Sequence, residues 1–152
     1  MRLQKFPSIS EDLQAVLSGD VQSQFGALCY RWRGKTPEVL LITSRGAGRW
    51  IVPKGWPIRG ETPAGSALTE AYEEAGVRGI AHPICLGIYT YAKPETRVVA
   101  LFPIRVKRLL NKYPEMAERK RKWVGIARAA ELVDIPELGE LIQRFDPARL
   151  GI

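Results

Sequence analysis

The sequence predicts a single mixed α/β domain. Three observations carry that expectation: short β-rich runs bounded by turn residues, a change to helical periodicity over residues 64–75, and a length of 152 residues in which helical and extended segments interleave without a repeat or linker. A chain of this size buries most of its apolar surface around one core, so one active site is expected rather than two.

Residues 1–24 are mostly polar. Within them Leu13, Val16 and Leu17 follow helical spacing between Ser10, which can cap a helix start, and Gly19, which can end one. Residues 1–24 therefore read as a peripheral arm with a short helix, and residues 25–152 as the domain itself. Residues 25–32, 38–43 and 49–52 are β-rich. Their separators, residues 34–37 and 44–48, hold Gly34, Pro37, Ser44, Gly46 and Gly48, so three strands are expected. The period then changes. Thr62 can serve as N-cap, Pro63 suits the first helical position, and residues 64–75 run to Gly76 with no breaker except Gly65 in the first turn.

Residues 84–92 and 97–107 return to extended character. Val98, Ala100, Phe102, Ile104 and Val106 alternate as one buried strand face, while Pro103, lacking an N–H, points to an edge strand or a bulge. Residues 119–125 read as the last strand. Residues 136–145 read as a closing helix, with Leu138, Leu141, Ile142 and Phe145 at i, i+3, i+4 and i+7.

A net charge of +7 and a pI near 9.7 give the molecule a field that attracts anions. Nucleic acid, phospholipid headgroups and polyphosphorylated small molecules all qualify, and charge alone does not choose among them. No stretch approaches the roughly 20 apolar residues of a membrane span, and the first thirty residues lack a secretion signal. The expectation is a soluble, unprocessed protein that does not enter membranes. Cys29 and Cys85 lie in apolar surroundings outside any metal-ligand spacing and read as reduced thiols, which suits the cytoplasm. His82, followed by Pro83, reads as a loop residue, and Trp50, Trp56 and Trp123 read as packing residues beside apolar strands.

The chemistry concentrates between Val52 and Val77. Glu70, Glu73 and Glu74 stand at i, i+3 and i+4 on the predicted helix and so share one face. Like charges at that spacing destabilise a bare helix, by a few tenths of a kcal/mol per pair. A solvated acidic face would explain them; so would a hard divalent cation, which takes oxygen ligands and bridges carboxylate to substrate phosphate.

The wider pattern favours the cation. Gly55, five residues, Glu61, eight residues, Glu70, two residues, Glu73-Glu74, one residue and Gly76-Val77 resembles the Nudix box, with Ala71 and Val77 at its apolar positions. That resemblance implies a mixed β-sheet sandwiched between helices and a pyrophosphohydrolase dependent on Mg²⁺ or Mn²⁺. It implies that the main-chain carbonyl of Gly55 and the carboxylates of Glu70, Glu73 and Glu74 hold the metal, and that Glu70 or Glu73 is the general base. Glu61 would close the loop before the helix, and Gly76 would end it.

One position departs from the family pattern. Thr69 stands where the family has an arginine that orients the carboxylates, and threonine cannot make a permanently charged, bidentate contact. Another base such as Arg59 or Arg78 must then substitute, or the enzyme is slow, or the chain only binds.

Ser44-Arg45, residues 50–57, residues 87–93 and residues 119–124 resemble the diphosphoinositol polyphosphate phosphohydrolase branch and its bacterial relatives, which also cleave diadenosine polyphosphates. Lys54 and Arg59 flank Gly55, and Ser44, Arg45, Arg97, Arg119, Lys120 and Arg121 could add phosphate contacts at strand ends. Three readings stay open: hydrolysis of one of those two substrates; another Nudix activity on a nucleoside triphosphate, sugar nucleotide or capped RNA; or a catalytically weak domain that binds polyphosphate or RNA. A small-molecule polyphosphate is the expected partner ahead of nucleic acid, with the protein a monomer or homodimer.

Overall fold

A computed structural model describes residues 23–92 and 95–152. Most of the expected arm, including its short helix, lies outside the described residues. Gln24 already belongs to the first strand, β1 (Gln24–Arg33), which turns at Gly34 (φ 63°) into β2 (Thr36–Thr43). The turn is tighter than expected, since Thr36 and Pro37 already pair with Arg33 and Trp32. Two short strands follow, β3 (Trp50–Ile51) against β2 and β4 (Lys54–Gly55) against β1. Next come helix α1 (Pro63–Ala75) and strands β5 (Val77–Ala81), β6 (Gly87–Ala92), β7 (Thr96–Leu109) and β8 (Arg121–Gly125). Helices α2 (Ile126–Leu132), α3 (Pro136–Arg144) and α4 (Pro147–Leu150) close the chain.

The sheet is mixed, because β1 and β7 run parallel while the other pairs are antiparallel. Helices cover both of its faces. Phe25, Ala27 and Cys29 of β1 pack with Ala100, Phe102 and Ile104 of β7 under α1, whereas Leu28 and Tyr30 pack with Val99 and Leu101 under α2 and α3. This is the period-2 alternation expected for residues 98–106, and burial on both sides explains why β1 is apolar almost without interruption. Helix α1 meets the sheet through Ala64, Ala67, Ala71 and Ala75, all buried. Small side chains let its backbone lie close, and a larger residue there would overpack at a cost of about 1–3 kcal/mol. On the opposite face α3 buries Leu138 and Ile142 beside Phe145, with Leu141 partly buried, as its spacing predicts.

Pro103 does not mark an edge. Around Pro103 strand β7 lies inside the sheet, with parallel β1 on one side and β6 and then β5 on the other. β6 pairs as far as Leu101 and β5 pairs from Ile104, so Pro103 occupies the changeover, where its missing N–H interrupts neither ladder. The irregularity lies further along, where the register shifts between Arg78 and Gly79 and leaves Lys107 of β7 unpaired. Both cysteines are free, Cys29 buried and Cys85 half-buried. His82 follows β5, its Nε2 lying 3.2 Å from the hydroxyl of buried Tyr30.

Candidate active site

Helix α1 is fixed at both ends. Thr62 caps it, its hydroxyl accepting from the Gly65 N–H at 3.0 Å, and Gly65 is small because the Glu61 carboxylate folds over the place a Cβ would take. Buried Ser66 accepts from the Ile58 N–H at 3.0 Å, so the loop between Gly55 and the helix is pinned to the first turn. At the other end Gly76 adopts φ 68°, a left-handed cap that glycine takes without penalty. Arg121 donates to the Ala75 carbonyl at 2.7 Å, with its guanidinium 4.8 Å from the centre of the Tyr113 ring. The segment between β7 and β8 docks here as well, because the Glu115 N–H donates to the Glu73 carbonyl at 2.9 Å.

Between these anchors the glutamates meet the sheet. The Glu70 carboxylate lies where a Cβ on Gly55 would be, so glycine is required there for close approach rather than for its backbone angles. Glu74 is only 6% exposed and accepts from the Lys54 N–H at 3.4 Å. Arg119 stands beside it, with Nη2 3.8 Å from a Glu74 oxygen, Nε donating to Glu115 at 3.0 Å and Nη1 donating to the Thr43 carbonyl at 3.1 Å. Sequence reasoning missed Glu115, because it sits in an irregular polar segment and only the docking of that segment on α1 brings it to the cluster.

Burial pushes Glu70 up to about 7; the neighbouring charges of Glu73 and Glu115 push the same way, and Arg119 and Lys54 oppose them. Glu74 is likewise pushed up to about 7, again chiefly by burial, with Arg119 the strongest opposing influence. Burial lowers Lys54, and Glu74 partly offsets that shift.

Such a cluster asks for positive charge. Among the described residues no three His, Cys, Asp or Glu side chains converge to enclose an ion. Hard carboxylate oxygens, buried at Glu74 and half-buried at Glu70 and Glu73, nevertheless fit Mg²⁺ or Mn²⁺, because Mg²⁺ keeps several waters and is held through one or two carboxylates plus substrate phosphates. The chemistry of the donor set therefore suits the ion that the sequence pattern implies.

A pH dependence follows. With folded-state values near 7, above the unfolded carboxylate range, Glu70 and Glu74 keep protons in the folded chain that the unfolded chain has released. Their contribution to stability is full at low pH and is lost as pH rises from about 4.5 to about 7. Metal-free protein should thus melt at a lower temperature at pH 8 than at pH 5. Mn²⁺, or the change Glu74→Gln, should narrow that gap, and a gap equally wide in both would remove the glutamates as its cause.

The predicted substrate-binding residues divide. Lys54 lies at the carboxylates, its Nζ 4.7 Å from the centre of the Tyr91 ring. Arg97 lies over the Trp56 ring at 5.3 Å and donates to Glu95 at 3.0 Å. Ser44 accepts from the Arg49 N–H at 2.9 Å, and exposed Arg45 stands 3.7 Å from Glu118. Arg59 and Lys120 are exposed, the Lys120 N–H donating to the Thr43 hydroxyl at 2.9 Å. Arg119 and Arg121 instead point into protein contacts. Thr69 donates its hydroxyl to the Gly65 carbonyl at 3.1 Å and reaches none of the glutamates.

Trp56 departs from the packing role expected of it. It follows Gly55 directly and is 46% exposed, whereas Trp50 and Trp123 are half-buried, with Lys122 and Arg31 over their rings. Beside Lys54 a cavity of about 310 Å³ opens, walled by Ile51, Tyr91, Ile135 and Pro136, with Ser44 and an Arg49–Asp134 pair at 3.6 Å among its polar groups.

A mixed sheet sandwiched between helices, with acidic side chains clustered on the helix that crosses one face, defines a small α/β domain with a candidate cation site. Comparison with known proteins narrows the class: the chain belongs to the Nudix family, whose NUDIX domain profile matches residues 22–145. It is 32% identical over 142 residues to Nudix hydrolase 21, chloroplastic, of Arabidopsis thaliana, covering 88% of this chain and 71% of that one. It is 33% identical over 108 residues to diphosphoinositol polyphosphate phosphohydrolase 3-alpha of Mus musculus, covering 70% of this chain but only 65% of the relative's length. Among solved structures, a Caenorhabditis elegans Ap4A hydrolase in a binary complex superposes with a TM-score of 0.71 at 25% identity, covering 87% of this chain and 100% of that one.

Proposed function

We propose that this chain hydrolyses a diphosphate linkage in a highly phosphorylated small molecule, a diphosphoinositol polyphosphate or a diadenosine polyphosphate. One observation carries the reading: Glu70 and Glu74 lie against Gly55 and beside Lys54, where burial raises both carboxyls to about 7, in a protein whose overall field is positive. Mere binding of polyphosphate needs no clustered carboxylates, which would repel it unless a cation intervenes. Bound Mg²⁺ or Mn²⁺ would neutralise diphosphate charge and make a water more acidic.

The chain's own residues supply the rest. Glu70 and Glu74, with Glu73 and the Gly55 carbonyl, are the groups that would hold the ion, and Glu70 or Glu73 would take a proton from water. Lys54 reaches phosphate next to that point, and Arg97, Ser44 and Arg45 extend the positive approach. The domain that would do this work is the one expected from residue 25 onward, which β1 extends by one residue to Gln24.

The apolar wall of Ile51, Tyr91, Ile135 and Pro136 beside Lys54 favours the diadenosine class. A purine ring gains from burial against such a surface, whereas an inositol ring bearing phosphates does not. The names of the mouse and nematode relatives agree with both classes.

A phosphate-release screen with Mg²⁺ and Mn²⁺ over inositol pyrophosphates, diadenosine polyphosphates, nucleoside triphosphates and sugar nucleotides tests the proposal. The first two groups should be turned over fastest. A preference for triphosphates or sugar nucleotides would replace the substrate assignment, and silence across the panel would reject hydrolysis. Among the described residues no helix is long and apolar enough to cross a membrane.

A further inference from the structure

We infer that Arg119 is a positioning residue, not a substrate contact: it ties the Glu74 carboxylate to the sheet and so performs the orienting task that Thr69 leaves undone. The inference rests on the proposed use of the glutamates as a metal site. Four carboxylates, Glu70, Glu73, Glu74 and Glu115, gather at the C-terminal half of α1, so the geometry calls for a fixed positive group. Thr69 cannot be that group, since it is neutral and its hydroxyl is spent on the Gly65 carbonyl. Arg59 is exposed, and Arg78, also exposed, lies over the Tyr72 ring at 4.9 Å. Lys54 is close, but an ammonium on a flexible stem, here over Tyr91, does not define a direction.

Arg119 meets each requirement. Its side chain is 8% exposed, and its guanidinium fork reaches three places at once: the Thr43 carbonyl at the end of β2, Glu115, and Glu74 at 3.8 Å. The backbone beside it is clamped as well. The Thr43 N–H donates to the Lys120 carbonyl at 3.0 Å, and the Lys120 N–H donates to the Thr43 hydroxyl at 2.9 Å. Swinging out to meet a phosphate would break two hydrogen bonds and leave Glu74 buried with only the weaker influence of Lys54 to offset its charge. Glu115 extends the tie, because its backbone N–H holds the Glu73 carbonyl while its carboxylate holds Arg119. One buried arginine thus connects the rigid sheet to two successive glutamates of the helix.

The experiment compares Arg119→Gln and Arg119→Lys with wild type in three readouts: kcat and KM on substrates of low and high phosphate count, Mn²⁺ affinity by electron paramagnetic resonance, and melting temperature. Both variants should lose about a hundredfold in kcat and about tenfold in Mn²⁺ affinity, while KM changes little for either substrate. The lysine variant should resemble the glutamine variant more than wild type, because charge without the fork cannot hold three partners. A KM that climbs with substrate phosphate count at unchanged kcat would make Arg119 a substrate contact and overturn the inference. So would wild-type Mn²⁺ affinity in both variants, a readout that needs no substrate and therefore stands even if the proposed reaction fails.

Should either variant fail to fold, Glu115→Gln removes one anchor and leaves the arginine in place. It should lower kcat and Mn²⁺ affinity in the same direction at unchanged KM, and wild-type values for both would overturn the tie.

Discussion

Replacing Glu74 with glutamine is expected to cut turnover roughly a thousandfold, the scale on which one preorganised charge acts in a shielded site, while the protein stays folded. Glutamine keeps the shape and an acceptor oxygen for the Lys54 N–H, so the contact between α1 and β4 survives. Only the charge goes. In the metal-free protein that charge is a burden, since burial has raised Glu74 to about 7 and Glu70 and Glu115 add repulsion. Melting temperature at pH 8 without metal should therefore hold or rise. With Mn²⁺ the order should reverse, because the variant lacks one hard ligand and gains less from the ion. Arg119 keeps its bonds to Glu115 and the Thr43 carbonyl, so the loss is confined to the carboxylate cluster. Wild-type turnover together with wild-type Mn²⁺ affinity in this variant would remove Glu74 from the site.

What could be read without coordinates was what repeats at short range. The alternation of residues 98–106, the alanine-faced helix between Thr62 and Gly76, and the stripe on α3 are each set by the period of a local element, and each has its expected place in the fold. β5 escapes sequence reasoning because Gly79 interrupts its pattern; the strand needs glycine there because a Cβ would strike the Arg105 carbonyl of β7. Pro103 misled because an edge is the commonest home for a strand proline, and nothing local reveals that two different neighbours meet opposite it. The site divides in the same way. Three glutamates on one helix face are a matter of spacing, whereas Glu115 and Arg119 arrive by the docking of one irregular segment. Within the run of residues 119–121 three basic side chains look alike in sequence, yet the structure points Arg119 at Glu74, leaves Lys120 in solvent and sets Arg121 on the end of α1.

The change Gly55→Ala should also separate activity from stability. Gly55 does not adopt a left-handed backbone angle, so alanine meets no conformational penalty there. The obstacle is the Glu70 carboxylate, which occupies the space of the new Cβ. That carboxylate ends a flexible side chain, so it can move aside without disturbing the pairing of Gly55 with Phe25 or the alanine contacts of α1 with the sheet. Melting temperature should fall by no more than a few degrees, as for a shift of about 1 kcal/mol in a domain of this size. Function cannot yield so cheaply. A reacting or ligating oxygen displaced by about 1 Å costs on the order of a hundredfold in rate, and here the displaced oxygen belongs to a residue proposed to hold the ion and proposed, as an alternative to Glu73, to take a proton from water. Turnover should therefore drop by at least that factor, with Mn²⁺ affinity weakened and KM less affected. Enlarging Gly60, whose surroundings are open, adds a Cβ elsewhere in the same loop but away from Glu70, and so checks the assignment. Its φ of 84° makes alanine strained, so Gly60→Ala should cost stability while leaving the Glu70 carboxylate in place. If Gly55→Ala and Gly60→Ala lose stability and rate in the same proportion, crowding of Glu70 is not what makes Gly55 necessary.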